Sequence, residues 1–144
     1  MNKFIDIKKL NNYFLGLLYK NKKVFYGEHE DKIVLSDSYS LFIIDKEDLY
    51  INLSKCNFIT NIYERFIPDD SNYLYTYITD TILIDKKDKL RLLENEDCKE
   101  IYLNNKYISF LKFRQCKSLS DNCPILFYDI DGNIISLILP IKTI

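Results

Sequence analysis

Three groups of side chains in this sequence are of types that could do chemistry. The carboxylates Asp69, Asp70, Asp85, Asp88, Asp129 and Asp131 occur in close pairs, as acid/base pairs and hard-cation sites do. Asp69, Asp70 and Asp131 stand among Pro, Ser, Asn and Gly, where turn formation accounts for them. Asp85 and Asp88 lie in a run of lysines that reads as solvated surface. His29, the one histidine, sits in the polar stretch Gly27–Asp31 with no nucleophile at useful spacing, and Ser36, Ser38 and Ser40 lack the glycines of a nucleophile elbow. Cys56, Cys98, Cys116 and Cys123 contain no C-x-x-C pair, so a zinc set is not expected, and they read as reduced thiols with a Cys98–Cys116 disulfide left open. No catalytic residue, metal or cofactor is expected.

The second group is aromatic. Tyr73, Tyr75 and Tyr77 alternate with Leu74, Thr76 and Ile78, which is period two and places the three phenols on one face of a strand, with Tyr63 nearby in sequence. Tyrosine offers rigid contact area with a polar tip, so these four are the expected partner-binding residues; a sheet face covered by a loop is the structural alternative. The third group is basic. Lys8, Lys9 and Lys20 fall on a first helix, and Lys106, Lys112 and Arg114 around a second, with Lys22, Lys23 and Lys117 close by. They are compatible with nucleic-acid contact and equally with an ordinary solvated helix face.

The elements that must position these residues follow from apolar spacing. Asp6 caps a helix over 6–20 whose stripe is Ile7, Leu10, Phe14, Leu17 and Leu18. Val24–Tyr26 and Lys32–Leu35 read as a hairpin around Gly27–Asp31, Ser40–Ile44 as a third strand and Leu49–Leu53 as another, while Thr60–Phe66 is ambiguous. Pro68–Asn72 is a turn. Strands are expected at Tyr73–Ile78, Ile82–Ile84 and Glu100–Leu103, with Lys86–Asn95 a loop or edge strand. Asn104 or Asn105 then caps a second helix carrying Tyr107, Ile108, Leu111 and Gln115. Asp131-Gly132, between Pro124–Tyr128 and Ile134–Leu139, marks a closing hairpin.

The 144 residues form one expected domain, with 47% hydrophobic and 28% charged residues excluding a disordered class. The net charge of −1 leaves no global basic field, so any nucleic-acid contact must be local. The N-terminus mixes charge into its first apolar residues, and no apolar stretch approaches a membrane span, which together point to the cytoplasm. Abundant Ile, Asn, Lys and Asp, with 12 Tyr and no Trp, point to a low-GC bacterium or one of its phages.

The two ends are alike. Phe4–Leu15 aligns with Ile101–Leu111 as strand, cap and helix, and Val24–Leu35 aligns with Leu126–Ser136 as strand, polar turn and strand. The expected fold is therefore α+β, a mostly antiparallel sheet with two helices built from duplicated βαβββ units, in halves at about 1–60 and 73–144. This pattern resembles a single domain of the DNA sliding-clamp fold, as in short clamp-like phage proteins. Pro124–Phe127, Asp131–Asn133 and Ile138–Lys142 are similar to the closing strands of that fold. Ile33–Asp37 followed by Tyr39 and Leu41 resembles its strand and turn, with Ser38 where the pattern prefers Gly. The resemblance implies a fold and carries no functional residue across.

Two functions suit such a chain. One is a small non-enzymatic, phage- or mobile-element-encoded factor that binds a large host protein or ribonucleoprotein and inhibits it, as an anti-CRISPR-like inhibitor of a defence nuclease would. The other is a clamp-like accessory factor that forms a homo-oligomer around DNA.

Overall fold

The computed structural model describes residues 2–142. Helix α1 spans Ile7–Tyr19, and Asp6 caps it by accepting the Lys9 amide at 3.1 Å. It buries Leu10, Asn11 and Phe14. The next three strands are β1 (Phe25–His29), β2 (Lys32–Ser36) and β3 (Ser40–Asp45). Gly27–His29, expected to be turn, belongs to β1, and the loop is only Glu30-Asp31, both at positive φ (47° and 65°). Gly27 is where it is because a Cβ there would lie 2.4 Å from Ile62 Cγ2 and 2.8 Å from the Ile59 carbonyl.

Leu49–Leu53 is not a strand; it runs between single 3-10 turns at Lys46–Asp48 and Leu53–Lys55. The buried Asn11 side chain donates to the Asp48 carbonyl and accepts the Tyr50 amide, both at 2.9 Å, taking backbone groups that a neighbouring strand would otherwise use. Strand β4 (Asn57–Phe58) and helix α2 (Ile62–Phe66) follow, settling the ambiguous segment as helix and raising the helix count among the described residues to three.

The remaining elements are β5 (Leu74–Asp85), β6 (Asp88–Asn95), β7 (Glu100–Asn104), α3 (Asn105–Ile108), β8 (Gln115–Ser118), β9 (Ile125–Tyr128) and β10 (Ile134–Ile138). Within Lys86–Asn95 only Lys86-Lys87 is loop: the rest is β6, which from Leu90 onward is paired on both sides and buries Leu90, Leu92 and Leu93. Its lysines and Asp88 cluster at one end, beyond the body of the sheet. The second helix is one turn long. Asn104 caps it through the Lys106 amide at 3.0 Å, but Leu111 already bridges to Ile5 and Gln115 opens β8. The expected leading strand Phe4-Ile5 is only that bridge. Cys116 consequently lies buried in a strand, Cys98 is exposed, and all four cysteines are free. The Asp131-Gly132 hairpin forms as expected, with Gly132 at φ 85° and Asp129 Oδ1 accepting the Asp131 and Asn133 amides at 2.9 Å.

The fold is α+β; the described residues form one ten-stranded sheet in the order β4-β1-β2-β3-β10-β9-β8-β5-β6-β7, antiparallel except where β1 meets β4. About the β3–β10 junction the order is symmetric, three strands running inward from β1 and three from β8. The middle strands are buried on both faces, which is why Leu41–Ile44 and Ile125–Tyr128 are unbroken apolar runs. On one face Leu35, Phe42, Ile44 and Phe127 pack with Leu10 and Phe14 of α1 and Tyr107 and Ile108 of α3. On the other, Val34, Leu41, Ile43, Leu126 and Leu137 pack under Ile62 and Tyr73 from the crossing segment 59–73.

Candidate interaction surface

The face crossed by 59–73 runs on over β8, β5 and β6. Side chains alternate along a strand, so Tyr75 and Tyr77 of β5 share this face with Lys117 of β8 and Glu94 of β6, which lie opposite them in register. Here the cover has ended: Tyr75 is 55% and Tyr77 60% exposed, against 9% for Tyr73. Lys117 Nζ lies 4.8 Å from the Tyr75 ring centroid and 5.2 Å from that of Tyr128, a cation-π contact that orients the exposed phenol. The Tyr75 amide is held by Glu96 Oε1 at 2.9 Å. The result is a rigid aromatic patch with a lysine between rings and glutamates at its margin.

The other two expected contact residues are not part of that patch, and this corrects the four-tyrosine surface. Tyr73 precedes β5 and is covered, its phenol pushed up to about 12 by burial and by the nearby Cys123 and Asp70. Tyr63 is stacked on His29, rings 3.6 Å apart and 4° from parallel. Glu64 and Glu30 lie 3.6 and 3.7 Å from the two imidazole nitrogens, so His29 has a phenol ring and two carboxylates as partners.

The basic set divides as well. Lys106 Nζ sits over the rings of Tyr13 and Tyr107, 5.4 and 5.0 Å from their centroids. Lys112 donates to the Asn2 carbonyl at 3.4 Å and Arg114 Nε to the Leu111 carbonyl at 3.1 Å. Lys8 and Lys9 are exposed on α1, and Lys20 is exposed at its C-cap. None of these six cations forms a salt bridge among the described residues. Lys117, expected beside the second helix, is on the tyrosine face instead, because β8 begins at Gln115.

A buried carboxylate escaped the sequence reading. Asp37, 9% exposed, accepts the hydroxyls of Tyr13 and Tyr107 (2.6 Å for Tyr107) on one oxygen. Its other oxygen accepts the Tyr39 amide at 2.9 Å, the Ser40 amide at 2.8 Å and the Ser40 hydroxyl at 2.9 Å. Burial, then the hydrogen bond to Asp37, drives both phenols well above the usual tyrosine range. Every acceptor direction of Asp37 is occupied, so this knot ties α1, the β2–β3 turn and α3 together. Ser38 in that turn stands at φ 83°, the left-handed region that favours glycine. The available signal was Asp-Ser-Tyr-Ser between two apolar runs; its tyrosine partners lie 24 and 70 residues away.

Among the carboxylates first considered, Asp69 Oδ1 accepts the Ser71 amide at 3.0 Å in turn geometry, whereas Asp70 Oδ2 accepts the hydroxyl of Tyr128, 58 residues away, at 2.6 Å. Asp85 and Asp88 face each other across the β5–β6 turn. Among the described residues no group of three His, Cys, Asp or Glu side chains could hold a metal ion. No family model, curated protein or solved structure matches the chain. The surface is therefore argued from its own geometry. No helix among the described residues is long and apolar enough to cross a membrane.

Proposed function

We propose that this chain is a small non-enzymatic protein-binding factor, encoded by a phage or mobile element, that acts in the host-cell cytoplasm. In this reading it docks on a large host protein or ribonucleoprotein of nucleic-acid defence and blocks it, in the manner of an anti-CRISPR inhibitor. The observation that carries the reading is the uncovered pair Tyr75 and Tyr77 beside Lys117, on a sheet face whose other half is sealed by 59–73. Two large rigid side chains held in place on a strand lose little conformational freedom on binding, which suits a docking surface.

The test is co-purification of the tagged chain from a host with an active RNA-guided nuclease, beside an assay of plasmid interference by that nuclease. The expected result is one large nuclease subunit retained in stoichiometric amount and interference lost. Tyr75→Ser with Tyr77→Ser is expected to release the subunit and restore interference; retention by the folded double variant would remove this surface from the proposal.

The alternative, a clamp-like factor that oligomerises around DNA, is favoured by the six cations that form no salt bridge among the described residues, on or beside the two helices that share the opposite face. Its mark would be a ring-sized homo-oligomer whose DNA affinity falls steeply as salt rises.

A further inference from the structure

Beyond the surface just described, the end of the β5–β6 hairpin leaves the body of the protein. β5 pairs with β8 only over Leu74–Thr76, and β6 pairs with β7 only from Leu90 onward, so among the described residues the tip from Ile82 to Lys89 has the hairpin itself as its sole pairing. All ten residues from Asp80 to Lys89 are exposed, on both faces of the ribbon. Among them Ile82, Leu83 and Ile84 are 44%, 41% and 69% exposed, three consecutive apolar residues that no other described element covers. The root is held firmly. β5 bulges between Ile78 and Ile82, Thr79 Oγ1 donates to the Leu92 carbonyl at 2.8 Å, and Arg91 reaches the Thr79 carbonyl and Asn105 Oδ1, each at 3.1 Å. The arm is a firmly rooted ribbon with an open, apolar strand edge, a feature that natural sheets otherwise blunt or cover.

We infer that the arm pairs with the same arm of a second copy of this chain, β5 against β5 in antiparallel register centred on Leu83. Two features select that occupant and register. In a hairpin with the two-residue loop Lys86-Lys87, Asp85 and Asp88 form the hydrogen-bonded pair, so alternation turns the N–H and C=O groups of Ile84 and Ile82 outward. With Leu83 facing Leu83, Ile82 of each copy meets Ile84 of the other and the outward groups bond to each other. The same register sets Thr81 against Asp85 and Asp80 against Lys86, opposite charges at both ends. A slip of one residue would set outward groups against inward ones and lose these hydrogen bonds, and a slip of two would set Ile84 against Asp80 or Leu83 against Asp85. The edge is complementary to itself in one register and is guarded against the next. The short contact makes a dimer that forms and dissociates readily.

The experiment is sedimentation of the full chain over a concentration series, with four variants. The wild type is expected to show a reversible monomer–dimer equilibrium, and Leu83→Lys to be monomeric with an unchanged circular dichroism spectrum. Asp80→Lys and Lys86→Asp are each expected to raise the dimer dissociation constant about 2- to 30-fold, since each breaks two symmetric charge pairs, and the two together to restore it. Leu83→Cys in a Cys98→Ser background is expected to form an intermolecular disulfide with its own counterpart under mild oxidation, because facing residues in such a ladder lie within cystine reach. A monomer at every concentration overturns the inference, as does a dimer that survives Leu83→Lys. Single charge variants that are not rescued by their combination overturn the register, and a foreign strand that binds the arm while the chain stays monomeric overturns the choice of partner.

Discussion

Two pairs of tyrosines in this protein have opposite fates. Tyr13 and Tyr107, 94 residues apart, converge on one carboxylate beneath α1 and α3, whereas Tyr75 and Tyr77, neighbours on one strand, stand in solvent with a lysine beside them. The residue type is the same, so the difference lies in what each hydroxyl meets. A buried phenol needs an acceptor, and Asp37 supplies one to both members of the first pair while having its own charge satisfied by three donors from the β2–β3 turn. The second pair needs none because water reaches it. The first pair is therefore part of what holds the halves of the sheet under their helices, and the second is free to make contacts elsewhere.

The sharpest way to break this contrast is Asp37→Ala. It leaves two phenols and Ser40 without their acceptor in the interior, and the expected loss is about 3 kcal/mol in urea unfolding. A loss below about 1 kcal/mol would mean that water takes over the role of the carboxylate and that the knot is not a fastening.

Alkaline pH should act on the same pair with a smaller, graded effect. Tyr13, Tyr107 and Tyr128 all have folded pKa values raised above the usual 10.0, chiefly by burial. Their contribution is fully present below pH 10. As pH rises further the unfolded chain ionises first, so stability falls with pH. Thermal unfolding between pH 8 and 11 should show this decline, with phenolate absorbance from the buried rings appearing only as the chain unfolds. Tyr107→Phe should make the decline shallower; an unchanged slope would assign it to other groups.

The smallest effect on stability is expected at the exposed pair. Tyr75→Ser with Tyr77→Ser should cost about 1 kcal/mol or less, since it removes strand propensity and one cation-π contact and opens no cavity. A cost as large as that of Asp37→Ala would show that the patch is structural and erase the contrast.

Much of the architecture was legible because it is local. The Asp6 cap with its apolar stripe, the Asp131-Gly132 turn and the runs at Ser40–Ile44 and Ile125–Tyr128 each announce their element within a few residues, and each forms. The misreadings share a cause in distant partners. Leu49–Leu53 has strand composition, but its backbone is claimed by Asn11. Lys86–Asn95 looks like a charged loop because its lysines belong to an arm tip, while Leu90, Leu92 and Leu93 are buried in the part of β6 that has a strand on either side. The second helix stops after one turn because Leu111 is taken by its bridge to Ile5.

The candidate surface divides the same way. Period two placed Tyr73, Tyr75 and Tyr77 on one face of an expected strand, and periodicity is a property of the chain itself. Which of them stay in solvent was decided by how far the segment 59–73 reaches across the sheet, and that depends on Ile62 seating over Gly27. By itself the amino-acid sequence determined the α+β class, the first helix, the hairpins and the alternation of side chains, because those follow from spacing and turn chemistry over a few residues. Only the tertiary structure decided that Asp37 gathers two remote tyrosines, that Lys117 lies beside Tyr75 and that Ile82–Ile84 stand uncovered, because burial is a relation between segments that meet only once the sheet has closed.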